Sequence, residues 1–310
     1  MLDVCLLGTG GMQPLPGRRL SATLVRVGGA LMLLDCGEGT QVAVREAGWG
    51  LRNLNAVLLT HLHADHVLGL PGLLLTLGHA GKNRDEPMSI YGPEPLVEVV
   101  NALMTATGGV PFPLRLHVLA GDEEFEPDGV PGVVVTTLRL EHSVPCLAYG
   151  VGVPREPRFD AGKARALDVP LAQWHLLQHG QDVSVGDRVV YPDDVRGPAR
   201  RGLRLVLATD MQPTPAMATF LKKGDGTDLL IADGMYGDDD QKPARWEAQH
   251  MTFAQTAALA RDGDARRLWL THFSPSLSDP ESYADRATAI FPATTIGRDG
   301  MTTTLAFDDA

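Results

Sequence analysis

The chain has 310 residues, 44% hydrophobic and 21% charged, with a net charge of −11. That composition is globular, long enough for a large buried core, and the acidic balance excludes a protein whose whole surface attracts nucleic acid. Three widely spaced cysteines, Cys5, Cys36 and Cys146, fit neither a disulfide framework nor a thiolate metal site. No apolar run reaches membrane-spanning length, and the N-terminus lacks the basic region of a signal peptide, so a soluble cytoplasmic protein is expected.

In chain order, short apolar runs bounded by Gly, Pro or Asp predict strands at Val4–Leu7, Thr23–Val27, Leu31–Leu34, Ala56–Leu59 and Met88–Tyr91. Helical spacing appears at Thr40–Glu46, Val67–Leu77 and Leu96–Thr107. A strand is expected at Val133–Leu138, and the same alternation returns with strands Leu203–Ala208, Leu229–Ala232, Arg267–Leu270 and Thr302–Phe307. Helices are expected there at Pro215–Lys222, Thr252–Asp262 and Glu281–Phe291. An α/β layout is thus written twice, as layered sheets with helices outside.

Between the halves, Pro154–Arg204 is rich in Pro, Gly and charge, with nine basic against seven acidic residues. Its balance of +2 leaves −13 for the remainder of the chain. It reads either as a solvated insertion with a small helix at Ala161–Leu167 or as an arm that touches a polyanion.

The densest chemical signal is Thr60-His61-Leu62-His63-Ala64-Asp65-His66, directly after a predicted strand. Three imidazoles and a carboxylate within six residues suit a metal such as zinc, and a turn at a strand end can aim them at one region. One turn cannot bring every donor to the same ion. Three further donors follow predicted strands: His142, Asp210 and His272. Donors just past strand C-termini gather on one edge of the sheets, where clefts form in α/β folds. Singly, each also reads as an ordinary turn, cap or core residue.

Taken together, His-x-His-x-Asp-His with the later His, Asp and His resembles the metallo-β-lactamase superfamily. More narrowly, the chain is similar to the ribonuclease Z family. Leu33–Gln41, Thr60–Leu74, Glu141–Val144, Phe159–Leu167 and Leu270–Ser274 carry the likeness in family order across almost the whole chain. The resemblance implies an αββα sandwich, a single domain over residues 1–310 with an inserted projecting arm at about 154–200. It implies two zinc ions per subunit, one held by His61, His63 and His142 and the other by Asp65, His66 and His272, with Asp210 bridging. The same donor types also accept manganese or iron.

By the same resemblance, the activity is removal of 3′ trailers from precursor tRNA, by a homodimer in which one subunit's arm serves the partner's site. His250 becomes the general acid, Asp233 its orienting partner, and Asp65 a ligand that also handles the attacking water. Two departures stand out: Asp210-Met211-Gln212-Pro213 lacks an arginine usual in the family, and Val169–His175 replaces a Gly-Pro-rich arm tip. These favour an alternative, hydrolysis of a small phosphodiester or ester metabolite at the same site. A third reading, an RNA-binding protein with structural metals, conflicts with a donor set too large for one closed cage. His250 and Thr252 also read as residues opening a helix. Gly8–Gly11 is not a nucleotide fingerprint and is expected to turn the chain near the cleft. His79, His117, His175 and His179 are expected to be structural, Asp238–Asp240 a solvated loop, and Trp174 an anchor within the arm or a stacking surface for a base.

Overall fold

The computed structural model describes residues 1–82, 85–241 and 249–308. Two seven-stranded sheets organise the main body. The first contains β1 (Leu2–Gly8), β2 (Ala22–Val27), β3 (Ala30–Leu34), β4 (Leu54–Leu58), β5 (Met88–Gly92), β6 (Leu114–Val118) and the last strand, β16 (Thr302–Leu305). Its order is β16-β1-β2-β3-β4-β5-β6, antiparallel up to β3 and parallel beyond. The second contains β7 (Glu124–Phe125), β8 (Val134–Leu140), β9 (Cys146–Val153), β12 (Leu203–Ala208), β13 (Leu229–Asp233), β14 (Leu268–Thr271) and β15 (Thr294–Ile296). It runs β15-β14-β13-β12-β9-β8-β7, parallel up to β12 and antiparallel beyond.

Strand period decides the layers. Val4 and Leu6 of β1 point to the same side as Leu58, and they pack with Val135, Tyr149, Leu205 and Ile231 of the second sheet. The intervening Cys5 and Leu7 face the other way, onto helices α1 (Thr40–Ala47), α3 (Leu70–His79) and α4 (Leu96–Thr105). On the second sheet, Val206, Leu230 and Leu268 pack outward on α7 (Pro215–Leu221), α8 (Phe253–Asp262) and α9 (Ala284–Thr288). The result is a four-layer α/β/β/α sandwich. Strands buried on both faces explain why β12 and β13 read as unbroken apolar runs.

Residues Pro154–Gly202 form a second compact unit, within the sequence of the first. It contains α5 (Ala161–Ala166), α6 (Trp174–Gln178) and a hairpin of β10 (Val183–Val185) and β11 (Arg188–Val190). Ala164, Val169, Leu177, Val183, Val190 and Val195 give it a small core of its own. The Trp174 indole donates to the Val169 carbonyl at 3.0 Å, and its ring lies 5.3 Å from that of Phe159, so it is an anchor of this core. No helix among the described residues is long and apolar enough to cross a membrane.

Three expectations need correction. The helix expected over Val67–Leu77 is two, α2 (Ala64–Val67) and α3, broken at Leu68–Gly69. There the Gly69 amide donates to the Cys36 carbonyl, and a Cβ at Gly69 would lie 2.0 Å from the Gly37 oxygen. The helix therefore stops where two chain segments meet. Glu281–Phe291 opens as a 3-10 turn over Pro280–Tyr283 before α9. The last strand ends at Leu305 because its partner β1 begins at Leu2, the residue opposite.

Candidate metal centre and its comparison with known proteins

The site lies where strands end. Asp35 follows β3 and adopts a left-handed backbone, φ 59°. This aims its carboxylate at the neighbouring end of β4, where it accepts from the Thr60 amide at 2.8 Å and the Thr60 hydroxyl at 3.0 Å. Asp35 also meets His66 Nδ1 at 2.9 Å, and the Thr60 hydroxyl meets His61 Nδ1 at 3.1 Å. With those nitrogens engaged behind the site, the two Nε2 atoms turn into it, the orientation that metal-binding imidazoles need. The donors from the second sheet come from the turn after β8 (His142), from Asp210 two residues past β12 and from His272 just past β14. Asp210 and His272 also sit in left-handed backbone, at φ 57° and 60°.

The resulting geometry has two lobes. In one, His63 Nδ1 lies 3.0 Å from His61 Nε2 and 3.4 Å from His142 Nε2. In the other, His66 Nε2 and His272 Nε2 are 3.1 Å apart and lie 3.6 and 3.4 Å from Asp65 Oδ2. Asp210 stands between: Oδ1 is 3.8 Å from His61 Nε2, while Oδ2 is 3.3 Å from His66 Nε2 and 3.4 Å from His272 Nε2. Donors about 2.1 Å from a shared cation stand about 3.4 Å from one another in a tetrahedron, so these separations fit.

Electrostatics make the same point. Asp210 Oδ2 is buried without a hydrogen-bond partner. Burial opposes charge on Asp210, but His272, His61 and His66 outweigh it and hold the carboxyl below its usual range. Asp65 is likewise held low, against its burial, by bonds to His272 and His66. Burial works against a charged His66, yet Asp35 and Asp210 push it up to about 10, and His272 is also raised. Burial instead carries His61 well down and His142 to about 4. Buried carboxylates thus draw positive charge into a pocket that also offers neutral imidazoles, as a divalent-cation site requires.

A cleft of about 360 Å³ opens over His63, Asp65, His142, Asp210, His250 and His272. His250 Nδ1 lies 2.9 Å from Asp233 Oδ2, at the end of β13, and its ring stacks on that of His272 with centroids 5.4 Å apart. Burial opposes its charge, but Asp233 and then Asp210 raise the His250 pKa above its ordinary value. Thr252, the neighbouring candidate for opening a helix, does so: its hydroxyl accepts from the Gln255 amide in a capping box. Being fully buried, Thr252 offers no surface to a phosphate. Gly11 approaches the site as expected, since a Cβ there would stand 2.7 Å from the His272 ring.

The other histidines stay away. His117 stacks on Tyr91, His79 is exposed, and His175 and His179 lie in the second unit. Asp238–Asp240 is more than a solvated loop, since Asp239 accepts from the Thr252 hydroxyl and Asp238 pairs with Arg286. Sequence reasoning assigned no role to Asp35. An acidic residue at a strand end, in the run Leu33-Leu34-Asp35-Cys36-Gly37, was the available signal.

The sandwich is that of the metallo-β-lactamase fold, and the metallo-beta-lactamase superfamily model matches residues 16–153. A metallo-β-lactamase fold protein of Bacillus subtilis, YhfI, superposes with a TM-score of 0.68 at 19% identity, covering 97% of this chain and 98% of its own. The short form of human tRNase Z gives 0.66 at 23% identity, covering 98% and 100%. Ribonuclease Z of Lachnospira eligens is 43% identical over 309 residues, covering 100% of this chain and 99% of that one. Ribonuclease Z of Clostridium kluyveri is 42% identical with full coverage of both. The chain belongs to the ribonuclease Z family and is a metal-dependent hydrolase.

Proposed function

We propose that this protein is a precursor-tRNA 3′ endonuclease holding two zinc ions, and the observation that carries the reading is the pair of donor lobes joined by Asp210. His61, His63 and His142 would hold one ion, Asp65, His66 and His272 the other, with one Asp210 oxygen toward each. Bound there, a divalent pair supplies Lewis acidity for the phosphate and makes water acidic enough to attack near neutral pH. Residues of the chain do the rest. Asp65 orients the attacking water and accepts its proton. His250, whose charged form Asp233 favours against its burial, delivers a proton from Nε2 to the departing 3′ oxygen. Asp35 keeps His66 in the tautomer that presents Nε2.

Residues 1–310 are read as a single catalytic domain with an inserted arm, in a cytoplasmic homodimer whose arm serves the partner's site. Three free, buried cysteines accord with a reducing compartment. The local balance of +2 in Pro154–Arg204, on a chain otherwise at −13, supports a polyanionic substrate at the arm. The second reading, a small diester or ester as substrate, is favoured by Asp210-Met211-Gln212-Pro213, where the usual arginine is missing.

The direct test is cleavage of a 3′-extended precursor tRNA by zinc-loaded protein, with the product end mapped. Cleavage at the discriminator base supports the proposal. Activity restricted to bis(p-nitrophenyl) phosphate transfers it to the second reading. The acid role has its own signature: His250→Ala will lower kcat on precursor tRNA by about 10²-fold. On bis(p-nitrophenyl) phosphate, whose leaving group needs no proton, the loss will be under about 10-fold. Equal losses on both substrates would remove His250 from proton transfer.

A further inference from the structure

The segment joining β1 to β2 is held at three places. At its base, Asp299 Oδ1 accepts from the Thr9 amide at 3.0 Å and the Thr9 hydroxyl at 2.8 Å, while Oδ2 accepts from the Arg19 amide at 2.7 Å. The Gly10 amide closes the same neck by donating to the Arg19 carbonyl at 2.8 Å. Along one side, Arg18 Nη1 donates to the carbonyls of Ser274 at 3.2 Å and Leu277 at 2.8 Å. The Gly11 amide donates to the Phe273 carbonyl, and the Phe273 amide to that of Thr9. At the tip, the Met12 amide donates to Asp65 Oδ2 at 2.7 Å.

Met12 reaches that position in left-handed backbone, φ 66°, a conformation that costs free energy in a residue other than glycine. Something must hold it there. Asp299 is the residue whose two oxygens bracket the whole segment, and both oxygens are committed to that task. It lies more than 230 positions from Asp65 in sequence and belongs to none of the donor groups around the site.

The geometry points to Asp299 as a positioning residue: by fixing Thr9 and Arg19 it aims the Met12 amide at Asp65 and sets which carboxylate oxygen faces His66 and His272. This rests on the reading of Asp65 as a metal ligand. A carboxylate on a short side chain rotates readily about its last torsion. One amide donor removes that freedom and presents Oδ2 to the second donor lobe. Partners of this kind behind metal ligands are worth about 10- to 100-fold in metal affinity or activity.

The test compares Asp299→Ala, Asp299→Asn and Asp65→Ala with the parent protein. Three quantities are read: zinc bound per folded chain in zinc buffers of graded strength, kcat and KM on bis(p-nitrophenyl) phosphate, and the melting temperature. Asp299→Ala is expected to weaken the second zinc by about 10- to 100-fold and to lower kcat by a similar factor, with KM changed less than about threefold. Asp299→Asn, which keeps an acceptor for Thr9, is expected to fall between parent and alanine variant, and it decides the matter alone if the alanine variant does not fold. A lower melting temperature with zinc affinity and kcat per folded chain unchanged would show that Asp299 only braces the fold, and would overturn the proposal. Full retention of both zinc ions by Asp65→Ala would instead sink the underlying ligand assignment, so the two failures are distinguishable.

Discussion

Asp210→Ala will lower hydrolysis of precursor tRNA and of bis(p-nitrophenyl) phosphate alike, on the order of 10⁴-fold. Among the described residues this side chain alone has an oxygen toward each lobe, within 3.8 Å of His61 on one side and 3.3 Å of His66 on the other. Its removal takes away a donor from both and leaves His66 and His272 with one buried carboxylate fewer. Zinc per chain, read by elemental analysis after dialysis, should fall together with activity. Full zinc content with full activity on either substrate would end the bridging assignment. The variant is expected to fold, because Asp210 Oδ2 has no hydrogen-bond partner among the described residues to lose.

Excision of the arm is expected to separate substrate recognition from chemistry. Val153 at the end of β9 and Leu203 at the start of β12 are directly paired in antiparallel register, so the arm leaves and re-enters between adjacent strands. A two-residue Asn-Gly turn can close that gap as an ordinary hairpin. Four basic residues near the start of the arm, Arg155, Arg158, Lys163 and Arg165, are the candidates for phosphate contacts. At roughly 1 kcal/mol each they account for about 10³-fold in kcat/KM. The expected outcome is that loss on precursor tRNA, steeply dependent on salt in the intact protein, with bis(p-nitrophenyl) phosphate hydrolysis kept within about threefold. An arm-less protein that still trims precursor tRNA normally would refute a role for the arm in tRNA binding.

Much of the architecture was legible because it is local. β12 is an unbroken run of six apolar or aliphatic-stemmed residues flanked by Gly202 and Thr209, and its predicted bounds coincide with the observed ones. The strand ends that carry the candidate donors were legible for the same reason. What escaped depends on distant partners. Cys146–Val153 contains Gly150 and Gly152, which locally read as breakers, yet it forms the longest strand of the second sheet. Gly150 is there because a Cβ would come within 2.6 Å of the Arg204 guanidinium and the Thr136 hydroxyl. β6, half exposed at a sheet edge, has an alternation too polar to stand out. The Asp35 network behind His66 needed β3 and β4 to be placed side by side. The assignment of donors to two lobes came from resemblance, because spacing alone allows other groupings.

The origin of the donors has a consequence for how the protein holds together. His61, His63, Asp65 and His66 are carried by the first sheet, and His142, Asp210 and His272 by the second. Each lobe draws on both, so cations held there would act as rivets between the two halves of the sandwich. Binding free energy at such a seam adds to the cost of prising the sheets apart. Chelation should therefore do more than silence the enzyme: it should loosen the edge of the sandwich nearest the cleft, and amide exchange there should quicken before the far edge responds.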